Sequence, residues 1–114
     1  MVVDDEPSVA FLVRRLLEKA GCEVYSETDS VKTLDFIRKK YRNIDVLICD
    51  MTMPKLTGET LATEVLKLTP EMPTVLMSGN TFRLPDVLRE FPSVALLEKP
   101  IGGKSLFDAI RNVL

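Results

Sequence analysis

The sequence predicts an α/β protein, a three-layer α/β/α sandwich in which helices cover both faces of a parallel β-sheet. Short apolar runs alternate with longer segments whose apolar residues recur every three or four positions, and this alternation repeats five times in 114 residues. The run from Val46 to Cys49 is apolar throughout and ends at Asp50. Such a run is typical of a strand that is buried on both faces of a parallel sheet.

Composition and charge narrow the class of protein. A chain of 114 residues is expected to form one domain, residues 1–114. Apolar residues make up 46% and charged residues 28%, which argues against a disordered or membrane-spanning chain. The net charge is -2, so no cationic surface for nucleic acid is predicted. The first residues show no signal-peptide pattern, and we expect a cytoplasmic protein.

Cysteine and histidine usage limits the available chemistry. Cys22 and Cys49 are expected in or beside buried strands, as small apolar residues in a reducing compartment rather than as a disulfide or a thiolate site. The chain contains no histidine. Imidazole is therefore excluded as a metal ligand or base, and any phosphohistidine must come from another molecule.

The first half of the chain is predicted to hold three strands and two helices. The strands cover residues 1–3, 24–25 and 45–50, and the first is so short that we expect a boundary that was cut or starts late. Pro7 or Ser8 opens the first helix, Gly21 ends it, and Asp29 or Ser30 caps the second. The apolar stripes of these helices are Val9, Leu12, Val13, Leu16, Leu17 and Ala20, and Val31, Leu34, Ile37 and Tyr41.

The second half continues the alternation. Strands are predicted at 73–78 and 94–97. A helix follows Gly58, a short helix lies between Pro85 and Pro92, and an amphipathic helix closes the chain. The apolar stripes of the first and last of these are Leu61, Ala62, Val65 and Leu68, and Leu106, Phe107, Ile110, Val113 and Leu114.

Polar side chains lie at the ends of four of the five predicted strands. Asp4 and Asp5 follow the first strand, Asp50 and Ser78 end the third and fourth, and Lys99 follows the fifth. Because the carboxyl ends of parallel strands share one edge, where ligands bind in open α/β sheets, we expect these side chains to converge. Each alone is an ordinary turn residue, whereas the four strand ends together indicate a functional site.

Electrostatics indicates what such a site needs. Two carboxylates about 4 Å apart repel by about 4 kcal/mol at an effective dielectric constant near 20, so three require a cation among them or some protonation. A ligand set of oxygens alone favours a hard ion, Mg²⁺ or Mn²⁺. Such an ion beside a carboxylate and a lysine is typical of phosphoryl transfer. On this hypothesis Asp50 attacks phosphorus, while Lys99 and Ser78 contact the phosphoryl oxygens.

These motifs together resemble the receiver domain of two-component response regulators over nearly the whole chain. The resemblance implies a fold like that of chemotaxis regulators, with five helices around a flavodoxin-like parallel sheet of strand order 2-1-3-4-5. It also implies a chain that stands alone or was excised from a hybrid kinase or a larger regulator. The motifs are Val3-Asp4-Asp5-Glu6, Asp50-Met51-Thr52-Met53-Pro54 with Gly58 following, Met77-Ser78-Gly79 and Lys99-Pro100.

The resemblance implies a metal site built on Asp50, which is also the phosphoacceptor. Asp5 is then a direct Mg²⁺ ligand, Asp4 helps through a water molecule, and the backbone carbonyl of Thr52 completes the site.

The resemblance also implies roles around the phosphoryl group. Ser78 matches the family's signalling hydroxyl and Lys99 its invariant lysine, joined to Pro100 by a cis peptide bond. Thr52 and Asn80 are expected beside the phosphoryl group, where they either position or exclude the hydrolytic water or are indifferent loop residues.

Three features depart from the family pattern, and one of them is Gly102-Gly103 at the start of the last helix. The residue three positions before the lysine, usually an aromatic switch residue, is Leu96. A leucine has no ring to turn inward, so this chain departs from the usual coupling. The segment 81–93 carries Pro85 and Pro92 where the family has a fuller helix, and this part of the surface usually meets partners.

The implied function is a signalling module rather than an enzyme with an external substrate. A sensor histidine kinase or histidine phosphotransfer protein donates the phosphoryl group to Asp50, which shifts an inactive/active equilibrium. The domain catalyses only its own phosphorylation and dephosphorylation. The surface near residues 81–114 is expected to self-associate or to meet an output domain, without nucleic-acid or membrane partners.

Two other functional classes stay open. Haloacid-dehalogenase-like phosphatases use the same residue types, but their nucleophile follows the first strand and their acidic pair comes last, whereas Asp4 and Asp5 come first here. Their second acid, two residues after the nucleophile, is replaced by Thr52. An interaction domain that works without phosphorylation is the other class. The intact set of acidic residues argues against it, while Leu96 and the short fourth helix keep it open.

Overall fold

The computed structural model describes residues 1–79 and 84–114. The strands are β1 Val2–Val3, β2 Ser26–Glu27, β3 Leu47–Asp50, β4 Thr74–Ser78 and β5 Val94–Glu98. The helices are α1 Pro7–Lys19, α2 Ser30–Lys40, α3 Gly58–Leu68, α4 Asp86–Arg89 and α5 Gly103–Val113, and a 3-10 turn, Tyr41–Asn43, follows α2.

The strands form one parallel sheet in the order β2-β1-β3-β4-β5. Val3 lies between Glu27 and Cys49 in the register, and Asp50 lies opposite Met77. The predicted fold class and strand order are confirmed. Because β3 is central and β1 is its neighbour, the residues that follow β1 and β3 lie side by side.

Two apolar cores cover the two faces of the sheet. Alternate strand residues face opposite sides, so Cys49 belongs to one core and Ile48 to the other. The first core joins α2, α3 and α4 through residues such as Leu61 and Leu88, and the second joins α1 and α5 through residues such as Val13 and Leu106. The sheet is therefore buried between helices on both faces.

The second strand begins two residues later than predicted. Val24 and Tyr25 lie before β2, although the amide of Val2 donates a 2.7 Å hydrogen bond to the carbonyl of Tyr25. The Tyr25 ring packs on Phe36 with centroids 5.1 Å apart. The apolar pair therefore packs beside the strand, and polar residues form the strand itself.

Several residues predicted on apolar stripes are exposed. The buried face of α1 consists of Ala10, Val13 and Leu17, and Leu12 lies off that face. Cys22 is also exposed, in the turn after α1, which corrects its predicted burial, whereas Cys49 is buried and both thiols are free. The exposed stripe residues are Leu12, Ala20, Val31, Leu68 and Leu114.

The residues that cap the start of α2 and follow the end of α1 are those that the sequence predicts. Asp29 caps α2 by accepting hydrogen bonds from the amides of Val31 and Lys32, and Gly21 has a φ of 89° in the turn after α1. The fourth helix has only four residues. None of the helices in the described ranges is long and apolar enough to cross a membrane.

Candidate functional site

Asp50 is the last residue of β3, the central strand of the sheet. It is 5% exposed, because the apolar strand that carries it is covered on both faces. The amide of Met51 still bonds to the carbonyl of Met77 at 2.8 Å, so the backbone on both sides of Asp50 is fixed. The side chain of Asp50 is thereby held at the carboxyl edge of the sheet.

Two more carboxylates stand beside it. Asp4 is fully buried, and its Oδ1 accepts a 2.9 Å hydrogen bond from the amide of Glu6. Asp5 is partly buried. One carboxylate oxygen from each of Asp4, Asp5 and Asp50 lies within 4.8 Å of the other two. The structure therefore brings together the three acidic residues that the sequence analysis singled out.

Lys99 reaches these carboxylates from β5. Its Nζ lies 3.0 Å from Oδ2 of Asp4 and 3.2 Å from Oδ1 of Asp50. Its amide donates a 2.7 Å hydrogen bond to the carbonyl of Ser78, and its bond to Pro100 is cis, as the resemblance implies. One ammonium group thus connects the ends of β1, β3 and β5.

The burial of these charges shifts their pKa values. Burial, and then the neighbouring Asp4 carboxylate, raise the pKa of Asp50 to about 6, even though Lys99 partly offsets both effects. Burial lowers the pKa of Lys99, but the carboxylates of Asp4 and Asp50 outweigh it, so its pKa lies above the ordinary value. The lysine is therefore charged at neutral pH, while Asp50 is an unusually basic carboxylate.

The acidic cluster fits a hard divalent cation. Three carboxylates face one ammonium group, so the negative charge is not balanced by Lys99 alone. Oδ2 of Asp4 is buried and accepts no well-aligned hydrogen bond from the described residues; its contact with Lys99 is an ion pair. Oxygen ligands of this kind suit Mg²⁺ or Mn²⁺, and Asp4, Asp5 and Asp50 are the residues placed to hold it.

The other predicted site residues lie around this cluster. Ser78 is buried at the end of β4, and Thr52 is exposed in the loop after β3. Leu96, on β5, is partly buried and packs against the first core. Asn80 lies outside the described residues. The roles assigned to these four residues stay predictions.

Gly58 has a structural role that the sequence analysis did not identify. It is the first residue of α3, and its amide donates a 2.9 Å hydrogen bond to the carbonyl of Met51. A Cβ at this position would overlap the carbonyl oxygen of Asp50 and lie 2.8 Å from the Cα of Met51. The sequence indicates a glycine at the start of a helix. It does not indicate the close contact with Asp50 and Met51, which depends on how the loop before the helix folds.

Comparison with known proteins agrees with this geometry. Residues 1–111 match the family described as response regulator receiver domain. The transcriptional regulatory protein CpxR of Escherichia coli K12 is 31% identical over 116 residues, which cover 100% of this chain and 48% of CpxR. The sensor kinase CckA of Brucella abortus is 26% identical over 117 residues, which cover 100% of this chain and 12% of CckA.

The solved structures agree as well. The crystal structure of a response regulator receiver domain protein from Clostridium thermocellum has a TM-score of 0.85 and 32% sequence identity, and the match covers 98% of this chain and 90% of that one. The chain spans about half of CpxR and a small part of CckA. The match to the family covers nearly the whole chain, and the chain belongs to the response regulator receiver domain family of two-component systems.

Proposed function

We propose that Asp50 accepts a phosphoryl group from the phosphohistidine of a partner protein, either a sensor histidine kinase or a histidine phosphotransfer protein. The observation that best supports this is the convergence at the carboxyl edge. Asp50 lies 3.2 Å from the ammonium group of Lys99, within a cluster that includes Asp4 and Asp5. The resulting acyl phosphate shifts the domain between two conformations.

The proposed transfer needs one nucleophile and positioned charges. A carboxylate oxygen of Asp50 attacks phosphorus, a P–O bond forms, and the N–P bond of the donor breaks. The electron pair of that bond returns to the imidazole, which takes up a proton. Lys99 and the Ser78 hydroxyl contact the phosphoryl oxygens and stabilise their negative charge as the new bond forms.

The acidic residues make the proposed reaction dependent on a metal. Asp4, Asp5, Asp50 and the backbone carbonyl of Thr52 would hold Mg²⁺ or Mn²⁺, and the bound ion supplies positive charge that offsets the charge of the phosphoryl oxygens. Without it, the three carboxylates of the cluster repel the incoming phosphoryl group.

The output of the domain is also a proposal. Receiver domains interact with histidine kinases and with output domains, and we place this one in the cytoplasm, where its surface near residues 81–114 self-associates or meets an output domain. The usual aromatic switch is not available, because position 96 holds a leucine, which has no ring. Leu96, Leu84 and Phe91 each pack against the first core. We expect phosphorylation to be transmitted through this packing.

The order of the site along the chain argues against a phosphatase of the haloacid-dehalogenase type. The acidic pair follows β1 and Asp50 ends β3, which is the reverse of the order in that class. Receiver domains are generally not classical enzymes. Steady release of phosphate from small phosphate esters, without stable labelling of Asp50, would favour the phosphatase.

Labelling with a small phosphodonor tests the proposal. The protein is incubated with acetyl phosphate and Mg²⁺, and the mass of the intact chain and of its peptides is measured. We expect one phosphoryl group per chain on the peptide that contains Asp50, and none with EDTA or in Asp50→Asn. A chain that binds Mg²⁺ but is never labelled would favour an interaction domain that works without phosphorylation.

A further inference from the structure

A single buried hydroxyl connects α2 to the loop that follows Asp50. Ser30 is 2% exposed. Its Oγ donates a 3.0 Å hydrogen bond to the carbonyl of Pro54 and accepts a 3.1 Å hydrogen bond from the amide of Leu56. These partners are 24 and 26 residues away in sequence, so the hydroxyl contributes nothing to the cap of its own helix.

The residue between those two partners has a strained backbone. Lys55 has a φ of 69°, which is positive for a residue other than glycine and therefore unfavourable. Its Nζ lies 2.8 Å from Oδ2 of Asp29. Asp29 uses its other oxygen, Oδ1, to cap α2, so one carboxylate holds both the helix and the loop.

The loop in question, residues 51–57, carries Thr52 and lies directly after Asp50. Its far end is fixed by Gly58, whose amide bonds to the carbonyl of Met51. Its middle is fixed by Ser30 and Asp29. Without these two side chains, the amide of Leu56 and the carbonyl of Pro54 lose their bonds to α2, and the turn at Lys55 loses its ion pair.

We propose that Asp29 and Ser30 are positioning residues for the functional site: they fix the loop 51–57, so that the Thr52 carbonyl stays in place for the metal ion and Asp50 stays open to the phosphoryl donor. This inference rests on the proposed function for its effect on phosphorylation. The effect on the loop itself does not depend on that function.

The experiment compares two buried hydroxyl groups on the same helix. Ser30→Ala removes the contacts with the loop. Thr33→Val is the matched control. The Thr33 hydroxyl is also buried, but among the described residues it donates to the carbonyl of Asp29, at the start of α2, and makes no hydrogen bond with the loop. Lys55→Met removes the ion pair without changing either hydroxyl.

Amide hydrogen exchange in the metal-free protein is the first readout. We expect Ser30→Ala to speed exchange of Leu56 and its loop neighbours by about tenfold relative to the strand amides of β3 and β4, since one or two hydrogen bonds are lost. Lys55→Met should speed exchange of the loop amides less. Thr33→Val should change the exchange rates of loop and strand amides by the same factor. Equal protection of the loop in Ser30→Ala and Thr33→Val would overturn the proposal.

Mg²⁺ affinity and labelling by acetyl phosphate are the second readout. Ser30→Ala should weaken Mg²⁺ binding several-fold and raise the half-saturating concentration of acetyl phosphate, with a smaller effect on the maximal rate. The proposal would also be overturned if Ser30→Ala loosened the loop but left Mg²⁺ affinity and the half-saturating concentration of acetyl phosphate at their wild-type values. If the wild-type protein is never labelled, the proposed function fails, and the exchange comparison still decides whether Ser30 and Asp29 fix the loop.

Discussion

Asp50 carries its negative charge in an unfavourable place. It is buried, and the Asp4 carboxylate stands beside it, so its pKa is raised to about 6. A raised carboxyl pKa in the folded state means that the folded protein binds a proton which the unfolded chain has already lost. The contribution of Asp50 to stability therefore falls as pH rises from about 4 to about 6 and stays reduced above that range.

Replacing this carboxylate should stabilise the metal-free protein. In EDTA at pH 7, Asp50→Asn is expected to raise the free energy of unfolding by about 1 to 2 kcal/mol, after a discount for partial solvent screening. The gain should shrink as pH falls from 6 to 4, because the wild-type carboxyl becomes protonated. Urea denaturation at several pH values measures it.

Asp86→Asn is the control for that comparison, because its carboxylate is 97% exposed. It should change stability little at any pH. A gain for Asp50→Asn that is constant between pH 4 and 7 would contradict the electrostatic explanation.

Gly58 is expected to tolerate no side chain. Gly58→Ala places a Cβ against the backbone of Asp50 and Met51, and rigid backbone cannot move aside without disturbing the site. We expect a loss of about 3 kcal/mol in unfolding free energy, as for severe overpacking, together with weaker Mg²⁺ binding.

Gly103 is the matched position, because it is the first residue of α5 as Gly58 is of α3. A Cβ there would lie 3.6 Å from a methyl group of Leu16, an ordinary contact. Gly103→Ala should be neutral or stabilising by up to about 1 kcal/mol. Equal effects at the two positions would show that the contact with Asp50 does not matter.

The sequence was informative about residues whose chemistry depends on the strand that precedes them. Asp4, Asp50 and Lys99 each follow an apolar run, and parallel strands bring such ends together. It was uninformative about Gly58 and Ser30, because their contacts depend on how the loop 51–57 folds against the end of β3 and the start of α2. The exposure of Leu12 was also missed, since helical spacing alone does not tell which of two adjacent faces meets the sheet.

At the scale of elements, α4 is stabilised by packing rather than by its own helix propensity. Four residues form about one helical turn, too short to be stable alone, yet Leu88 on this turn is completely buried. Leu88→Ala should therefore lower the free energy of unfolding by about 2 to 4 kcal/mol, measured by urea denaturation.

The adjacent residue supplies the control. Val87 lies on the same turn and is 46% exposed, so Val87→Ala should change stability by less than about 1 kcal/mol. If both variants were equally stable, α4 would not be part of the first core.

Element type was easier to predict than element position. Prolines 85 and 92 indicated a short fourth helix because proline fits only its first turn or lies beyond its end. The start of β2 was misplaced, because pairing with β1 rather than hydrophobicity selects Ser26–Glu27. The 3-10 turn at Tyr41–Asn43 was not predicted, since the apolar stripe runs into it without a break.

At the scale of the whole molecule, Lys99 is the cation that pairs with the carboxylates which the strand order brings together. It contacts carboxylates that follow β1 and end β3, two elements distant from it in sequence. Lys99→Met should lower the unfolding free energy of the metal-free protein by about 2 kcal/mol or more, because two buried carboxylates lose their partner. Added Mg²⁺ should restore part of this loss.

Lys104→Met serves as its control. Lys104 is 90% exposed and pairs with Asp108 on the surface, where an ion pair contributes about 0 to 1 kcal/mol. If the two lysine variants lost similar amounts of unfolding free energy, Lys99 would not be part of a buried charge network. The same conclusion would follow if Mg²⁺ destabilised Lys99→Met further.

A Mg²⁺ titration followed by amide chemical shifts tests most directly whether the separate strand ends act as one site. In the wild-type protein we expect saturable shifts that are largest around Asp5, Asp50, Thr52 and Lys99, and their loss in both Asp5→Asn and Asp50→Asn. If either variant still bound Mg²⁺ as the wild-type protein does, or if the shifts lay away from the carboxyl edge of the sheet, the strand ends would not act as one metal site.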